Sequence, residues 1–132
     1  MKLYQVDSFS SKLYAGNPAA VVPLKEWLDD EKMQSIAAEN NLSETAFIKK
    51  ESGKYYIRWF APSCEIDLCG HATLASAFVY FNFINKSADE FIVNSKVNGQ
   101  LKVNVSGDLL LLDFPKDILV PSPKQKEILE VL

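Results

Sequence analysis

Apolar residues along this chain fall mostly into short, strand-sized runs, with one longer run near the middle. "KLYQVDSF" alternates well enough to predict a strand. "AGNP" supplies turn chemistry, with Gly16 able to take unusual backbone angles and Pro18 fixing one. "AAVVPL" reads as a buried strand. Asp29 or Asp30 can cap a helix over "DEKMQSIAAEN", where Met33, Ile36 and Ala37 share one face. "ETAFIKK", a hairpin turn at "ESGK" and the return strand "YYIRWF" follow, the last rich in aromatic and β-branched residues. From Gly70 to Ile84 the chain carries no formal charge except whatever proton His71 holds. Leu74, Ala75, Phe78, Val79, Phe81 and Ile84 cover more than one side of a helix there, which predicts a buried helix with Ala72 to Ile84 in the core. Three further strands are expected over "EFIVNS", "GQLKVNVS" and "LLLLDF", with Asn98-Gly99 and Gly107-Asp108 as turn signals. Ser122-Pro123 has the form of a cap plus first-turn proline opening a last helix. The predicted class is α+β: mostly antiparallel strands curled around one central apolar helix.

Composition narrows the function classes. The chain has 132 residues, one domain's worth, with 48% hydrophobic and 23% charged residues. Fourteen basic residues face seventeen acidic ones, for a net charge of -3, and no Lys/Arg cluster stands out, so nucleic-acid binding is not expected. The run from Ala72 to Ile84 is shorter than the roughly 20 residues of a membrane span. "MKLYQVDSF" has no cleavable signal pattern, and two cysteines, Cys64 and Cys69, are too few for a disulfide scaffold. The expectation is a cytoplasmic protein with reduced thiols. The sequence ends at "SPKQKEILEVL", inside an apolar pattern with no stop signal, so a continuing chain is expected.

Three places could carry chemistry. In "LCGHAT", a helix starting near Gly70 would leave the amides of Gly70, His71 and Ala72 unpaired, a natural seat for a substrate carboxylate. The same residues also suit a plain glycine-started helix whose histidine bonds its neighbours. Cys69 could be a thiolate activated by the helix terminus, or a small buried hydrophobe. Cys64, Cys69 and His71 match no standard zinc spacing, so no metal is expected. In "NNLSETAF", a strand would place Glu44 on one face with Ala46 and Ile48, where a half-buried carboxylate can move protons; an exposed surface glutamate is the plainer reading. Asn17 offers a donor and an acceptor on a tight turn, or is merely part of that turn.

Taken together, "VDSF…GNPAAVV", "IAAENNLSETAFI" and "IRWFAPSCEIDLCGHATLASA" closely resemble the N-terminal half of the PhzF family, the phenazine-biosynthesis isomerase-like proteins. The resemblance runs from Val6 to about Ala77, and the strand pattern fits as far as Phe114. It implies the diaminopimelate epimerase-like fold, in which two similar halves each wrap a curled sheet around a central helix and the active site lies between them. Residues 1–120 would then be the N-terminal domain, and 121–132 the start of a helix leading to a second one. It further implies that Glu44 is the general acid/base, that Gly70 and His71 contact substrate, and that Asn17 lies near the same cleft. The implied chemistry is cofactor-free proton transfer on a small carboxylate-bearing substrate, giving isomerisation or epimerisation. Related epimerases use a cysteine base in a comparable place, so Cys69 is a possible accessory. The implied partners are a second copy of the chain or a separate C-terminal half. The contrasting reading is a non-catalytic small-molecule-binding or assembly domain that keeps the fold.

Overall fold

The computed structural model describes residues 1–114 and residue 116. Its strands are β1 (Tyr4–Ser8), β2 (Asn17–Leu24), β3 (Glu44–Glu51), β4 (Lys54–Phe60), β5 (Glu65–Ile66), β6 (Glu90–Ser95), β7 (Gly99–Ser106) and β8 (Leu109–Asp113). Helix α1 (Asp30–Asn40) lies between β2 and β3; α2 (Gly70–Val79) and a π-helical turn (Tyr80–Ile84) lie between β5 and β6. The strands form one sheet in the order β1-β2-β3-β4-β6-β7-β8, with β5 paired to β4 beside β6. Pairing is antiparallel except for β2–β3 and β4–β6. The two parallel pairs are the ones whose connections carry the helices, because a parallel return needs a long crossover and a hairpin does not.

The predicted architecture is present. One face of the sheet contributes Val21, Ile48, Ile57, Trp59, Phe91, Val93, Leu101 and Val103 to a core around α2. Helix α2 touches β1, β2, β3 and the opposite edge strand β8, so the sheet curls around it. Helix α1 lies against the other face, where Met33 and Ala37 pack with Val22, Phe47 and Phe60. That second core explains the unbroken buried run Ala19–Val22, since both faces of β2 are covered. Asp29 is the cap of α1, accepting from the Lys32 amide at 2.7 Å. Ser52 and Gly53, both at positive φ, make the two-residue turn between β3 and β4.

Three expectations need correction. The buried helix ends at Tyr80: Phe78, Phe83 and Ile84 are exposed, and Phe83 instead lies against Tyr4 with ring centroids 4.7 Å apart. Asn17 and Pro18 are the first residues of β2, opposite Ser8 and Asp7, and not part of a turn. Gly16 is not among the positive-φ residues. A Cβ there would stand 2.4 Å from the Ser8 carbonyl oxygen, so the glycine serves close backbone approach. The expected helix after Ser122 lies outside the described residues. Among the described residues no helix is long and apolar enough to cross a membrane.

Candidate functional site

The parallel register of β2 and β3 brings the starts of both strands to one end of the sheet. Ala19 sits opposite Glu44, so Asn17 and Pro18 lie beside Ser43. The Ser43 hydroxyl is 3.4 Å from Asn17 Oδ1, 3.3 Å from the Pro18 carbonyl oxygen and 3.3 Å from His71 Nε2. The N-terminus of α2 reaches the same point, and Ser8 Oγ donates a 2.7 Å hydrogen bond to the His71 carbonyl. Four segments distant in sequence therefore converge there.

At the centre are Glu44, His71 and Cys69. Glu44 Oε2 is 3.0 Å from His71 Nε2, close enough for an ion pair when the ring is protonated. The contact falls outside hydrogen-bond geometry, and this buried oxygen has no hydrogen-bond partner. On the other side of the ring, Nδ1 is 3.3 Å from Cys69 Sγ. Cys69 is the N-cap of α2 in extended conformation, and its carbonyl accepts from both the Thr73 amide (3.1 Å) and the Thr73 hydroxyl (2.6 Å).

The thiol is not activated by the helix terminus. Burial pushes its pKa up to about 11; the Ala72 amide works against this, the Glu44 carboxylate adds to it, and the His71 amide makes a smaller opposing contribution. Desolvation wins because an anion there loses more water than two amides replace. Near neutral pH Cys69 is a thiol, contrary to the thiolate reading of the sequence.

One ligand atom from each of Glu44, Cys69 and His71 can be chosen so that all lie within 4.8 Å of one another. Cys64, the other cysteine, is exposed and is not in this group. Gly70 begins α2 next to the cluster, and the ring of Phe114 closes over it; a Cβ on Gly70 would stand 2.5 Å from Phe114 Cζ. The structure thus brings together Asn17, Glu44, Cys69, Gly70 and His71. Ser8 and Ser43 tie them to one another but have no sequence signature, since a serine beside a strand end is common. The usable signal for Ser43 is its place directly before Glu44 at the start of a strand.

The curled sheet around a central helix, which here carries a carboxylate and an imidazole at the helix N-terminus, is shared with about half the length of solved PhzC/PhzF-family and predicted-epimerase structures. The chain belongs to the PhzC-PhzF family of phenazine biosynthesis-like proteins, whose model matches residues 6–126. It is 46% identical over its full length to an uncharacterized isomerase of Pseudomonas aeruginosa, of which it covers 51%. It is similar to a solved PhzC/PhzF phenazine-biosynthesis protein of Clostridium difficile, with a TM-score of 0.83 at 45% identity, covering 96% of this chain and 50% of that one. A predicted epimerase of Pseudomonas aeruginosa shares the fold, with a TM-score of 0.69 at 22% identity, covering 82% of this chain and 40% of that one. The chain spans about half the length of the curated relatives it matches.

Proposed function

We propose that this chain supplies the acid/base half of an isomerase acting on a small carboxylate-bearing substrate, with Glu44 moving the proton and no cofactor. The observation that carries the reading is the buried, unpartnered Glu44 Oε2 beside His71 Nε2 at the N-terminus of α2. A buried acceptor without a partner is costly, and a substrate C–H or O–H presented to it would remove that cost in the bound state. The terminus of α2 offers backbone amides and the positive end of a helix dipole to a carboxylate or to charge developing on the substrate. Gly70 has no side chain to hold a ligand away from that backbone. Asn17 and His71, joined through Ser43, supply further hydrogen-bonding groups.

The spacing also bears on the reaction type. With donor atoms within 4.8 Å of each other, Glu44 and Cys69 stand closer together than two bases flanking one carbon would. Two bases acting on opposite faces need a carbon between them, each at about 3 Å from it. The chain's own groups therefore suit one base that takes a proton from one carbon and returns it to another. The neutral Cys69 thiol fits a supporting role rather than that of a base. We propose that a further half, a C-terminal half or a second copy, completes the cleft. The relatives' twofold greater length supports this. The native mass of the purified protein, with every co-purifying chain identified, tests that part.

The test of Glu44 is deuterium incorporation from D2O into a panel of small carboxylates bearing an acidic C–H, followed by NMR on the assembly as purified. Glu44→Gln should lower the exchange rate by about 100-fold or more. Cys69→Ala should retain most of it. Exchange by Glu44→Gln at the wild-type rate removes Glu44 as the base, and no exchange by wild type with any member of the panel leaves a binding or assembly domain as the reading.

A further inference from the structure

The Glu44, Cys69 and His71 side chains have a second capability besides proton transfer. We propose that this cluster is a binding site for a soft divalent cation of the zinc class, held by Cys69 Sγ, His71 Nδ1 and a Glu44 carboxylate oxygen, and that occupancy takes the acid/base group out of service.

Thiolate, imidazole and carboxylate are the donors zinc takes. With metal–ligand bonds of about 2.0–2.3 Å in a tetrahedral shell, neighbouring donor atoms lie about 3.5 Å apart. Sγ and Nδ1 are already 3.3 Å apart, on two residues fixed by the first turn of α2. The third donor comes from a different element, the start of β3; with one ring nitrogen, Sγ and one carboxylate oxygen the set lies within 4.8 Å, and Glu44 Oε2 itself stands 3.0 Å from Nε2. Closing the shell takes a swing of the carboxylate from beside Nε2 toward the Nδ1 and Sγ side. Glu44 Oε2 has no hydrogen bond to lose in that movement and gives up its 3.0 Å contact with His71 Nε2. Among the described residues no lysine or arginine pairs with Glu44, so its charge is open to a cation. Three protein donors leave the fourth position for water or a substrate oxygen.

The protons balance simply. The Cys69 thiol loses its proton to solvent as the S–metal bond forms, and a coordinating cation drives this outright even for a buried thiol. His71 ligates as the neutral ring. The Glu44 oxygen that would accept a substrate proton becomes a metal ligand, so cation binding and proton abstraction exclude each other. Cys69 and His71, which the acid/base reading uses only as neighbours, are thereby given a joint role.

Cobalt(II) is the probe, because a thiolate–cobalt bond gives a charge-transfer band in the near ultraviolet. The titration uses the full chain, with its partner if it has one, carrying Cys64→Ser so that the exposed thiol cannot contribute. The expected result is a band that saturates at one equivalent, bleaches when zinc is added, and is accompanied by release of one thiol proton. Adding Cys69→Ser should abolish the band, and Glu44→Gln should weaken binding by about tenfold or more. These readouts do not depend on any enzymatic activity, so they stand or fall separately from the proton-transfer reading. No band at millimolar cobalt, or a band that is present in wild type but lost in Cys64→Ser, overturns the proposal. Unchanged affinity in Glu44→Gln overturns the three-donor site.

Discussion

Gly16 and Gly70 present the same apparent obstacle and should respond in opposite ways. An added Cβ would stand 2.4 Å from the Ser8 carbonyl oxygen at Gly16, and 2.5 Å from Phe114 Cζ at Gly70. At Gly16 the obstacle is backbone. Ser8 is paired with Asn17 across β1 and β2, and the Asp7 carbonyl carbon and Cβ are both at 3.0 Å, so nothing nearby can swing aside. Relief requires the strand ends to part by about 1 Å, which carries an overpacking cost of about 1–3 kcal/mol. The stiffer unfolded chain returns about 0.4–1 kcal/mol. A net loss of about 1.3 kcal/mol is expected for Gly16→Ala, a shift of about 0.6 M in the urea midpoint at a slope of about 2 kcal/mol/M. At Gly70 the obstacle is the far end of a side chain that is 52% exposed, and the ring can rotate into solvent. Alanine is also the better helix residue, by up to about 1 kcal/mol in a helix interior. Gly70→Ala should therefore unfold within about 0.5 kcal/mol of wild type. Urea titration followed by the fluorescence of the buried Trp59 reads both. The activity readouts should separate them again. Gly70→Ala sets a methyl where a ligand would approach the helix terminus, and should lose deuterium exchange without losing stability. A stable Gly16→Ala together with an unfolded Gly70→Ala would refute this reasoning, because the kind of obstacle, backbone or side-chain end, would then have been the wrong guide.

Other expectations follow from single contacts. Burial holds the Cys69 thiol near pKa 11, above the 9.0 of a free thiol, so its contribution is complete below pH 9 and is lost as pH rises through 11. Wild type should lose about 2–3 kcal/mol more stability than Cys69→Ala across that window, measured by urea titration at each pH. Near neutral pH a thiol reagent should label exposed Cys64 and leave Cys69, read by mass spectrometry of peptides. Asp29→Ala removes the cap of α1 and should cost about 1 kcal/mol in the same urea assay, with Asp29→Asn recovering most of it.

The alternation of "YYIRWF" and the turn at "ESGK" were legible because each is local: a strand face and a two-residue loop are written in adjacent letters. The far end of the long apolar run was not. Phe83 and Ile84 look like core in composition, but burial depends on what covers them, and apolar residues often stand exposed. The second core was equally hidden, since nothing in "AAVVPL" says that α1 lies over its far face. At the site, Glu44 and His71 were reached through the resemblance; the residues alone left each with a plain structural alternative. Ser8 and Ser43 were not reached at all, because their roles come from register. Only when β2 runs parallel to β3 does Ser43 come beside Asn17, and only when the sheet curls does Ser8 come under the His71 carbonyl.

That dependence on register explains why the site sits where it does. A parallel pair places two strand starts side by side, and the crossover that makes it possible here is α1, on the far face of the sheet. The near face stays free for α2, whose first turn meets those two strand starts. Asn17 and Glu44 come from the strands, and Cys69, Gly70 and His71 from the helix. Hairpin pairing of β2 with β3 would instead have put the start of β3 against the end of β2, and would have separated Glu44 from Asn17 by the length of the strands. A change that loosens α1 should therefore lower stability and leave the site in place while the strands hold their register. Gln34 on α1 donates to the Ala61 and Pro62 carbonyls at 2.9 and 3.0 Å, pinning the helix to the loop after β4. Gln34→Ala should cost about 1–2 kcal/mol of stability. Its deuterium exchange at temperatures well below unfolding should stay close to wild type, because the β2–β3 register is held by the strands' own hydrogen bonds. A large loss of exchange in a fully folded Gln34→Ala would mean that α1 positions Glu44 directly, and the account of the site from strand register would have to be abandoned.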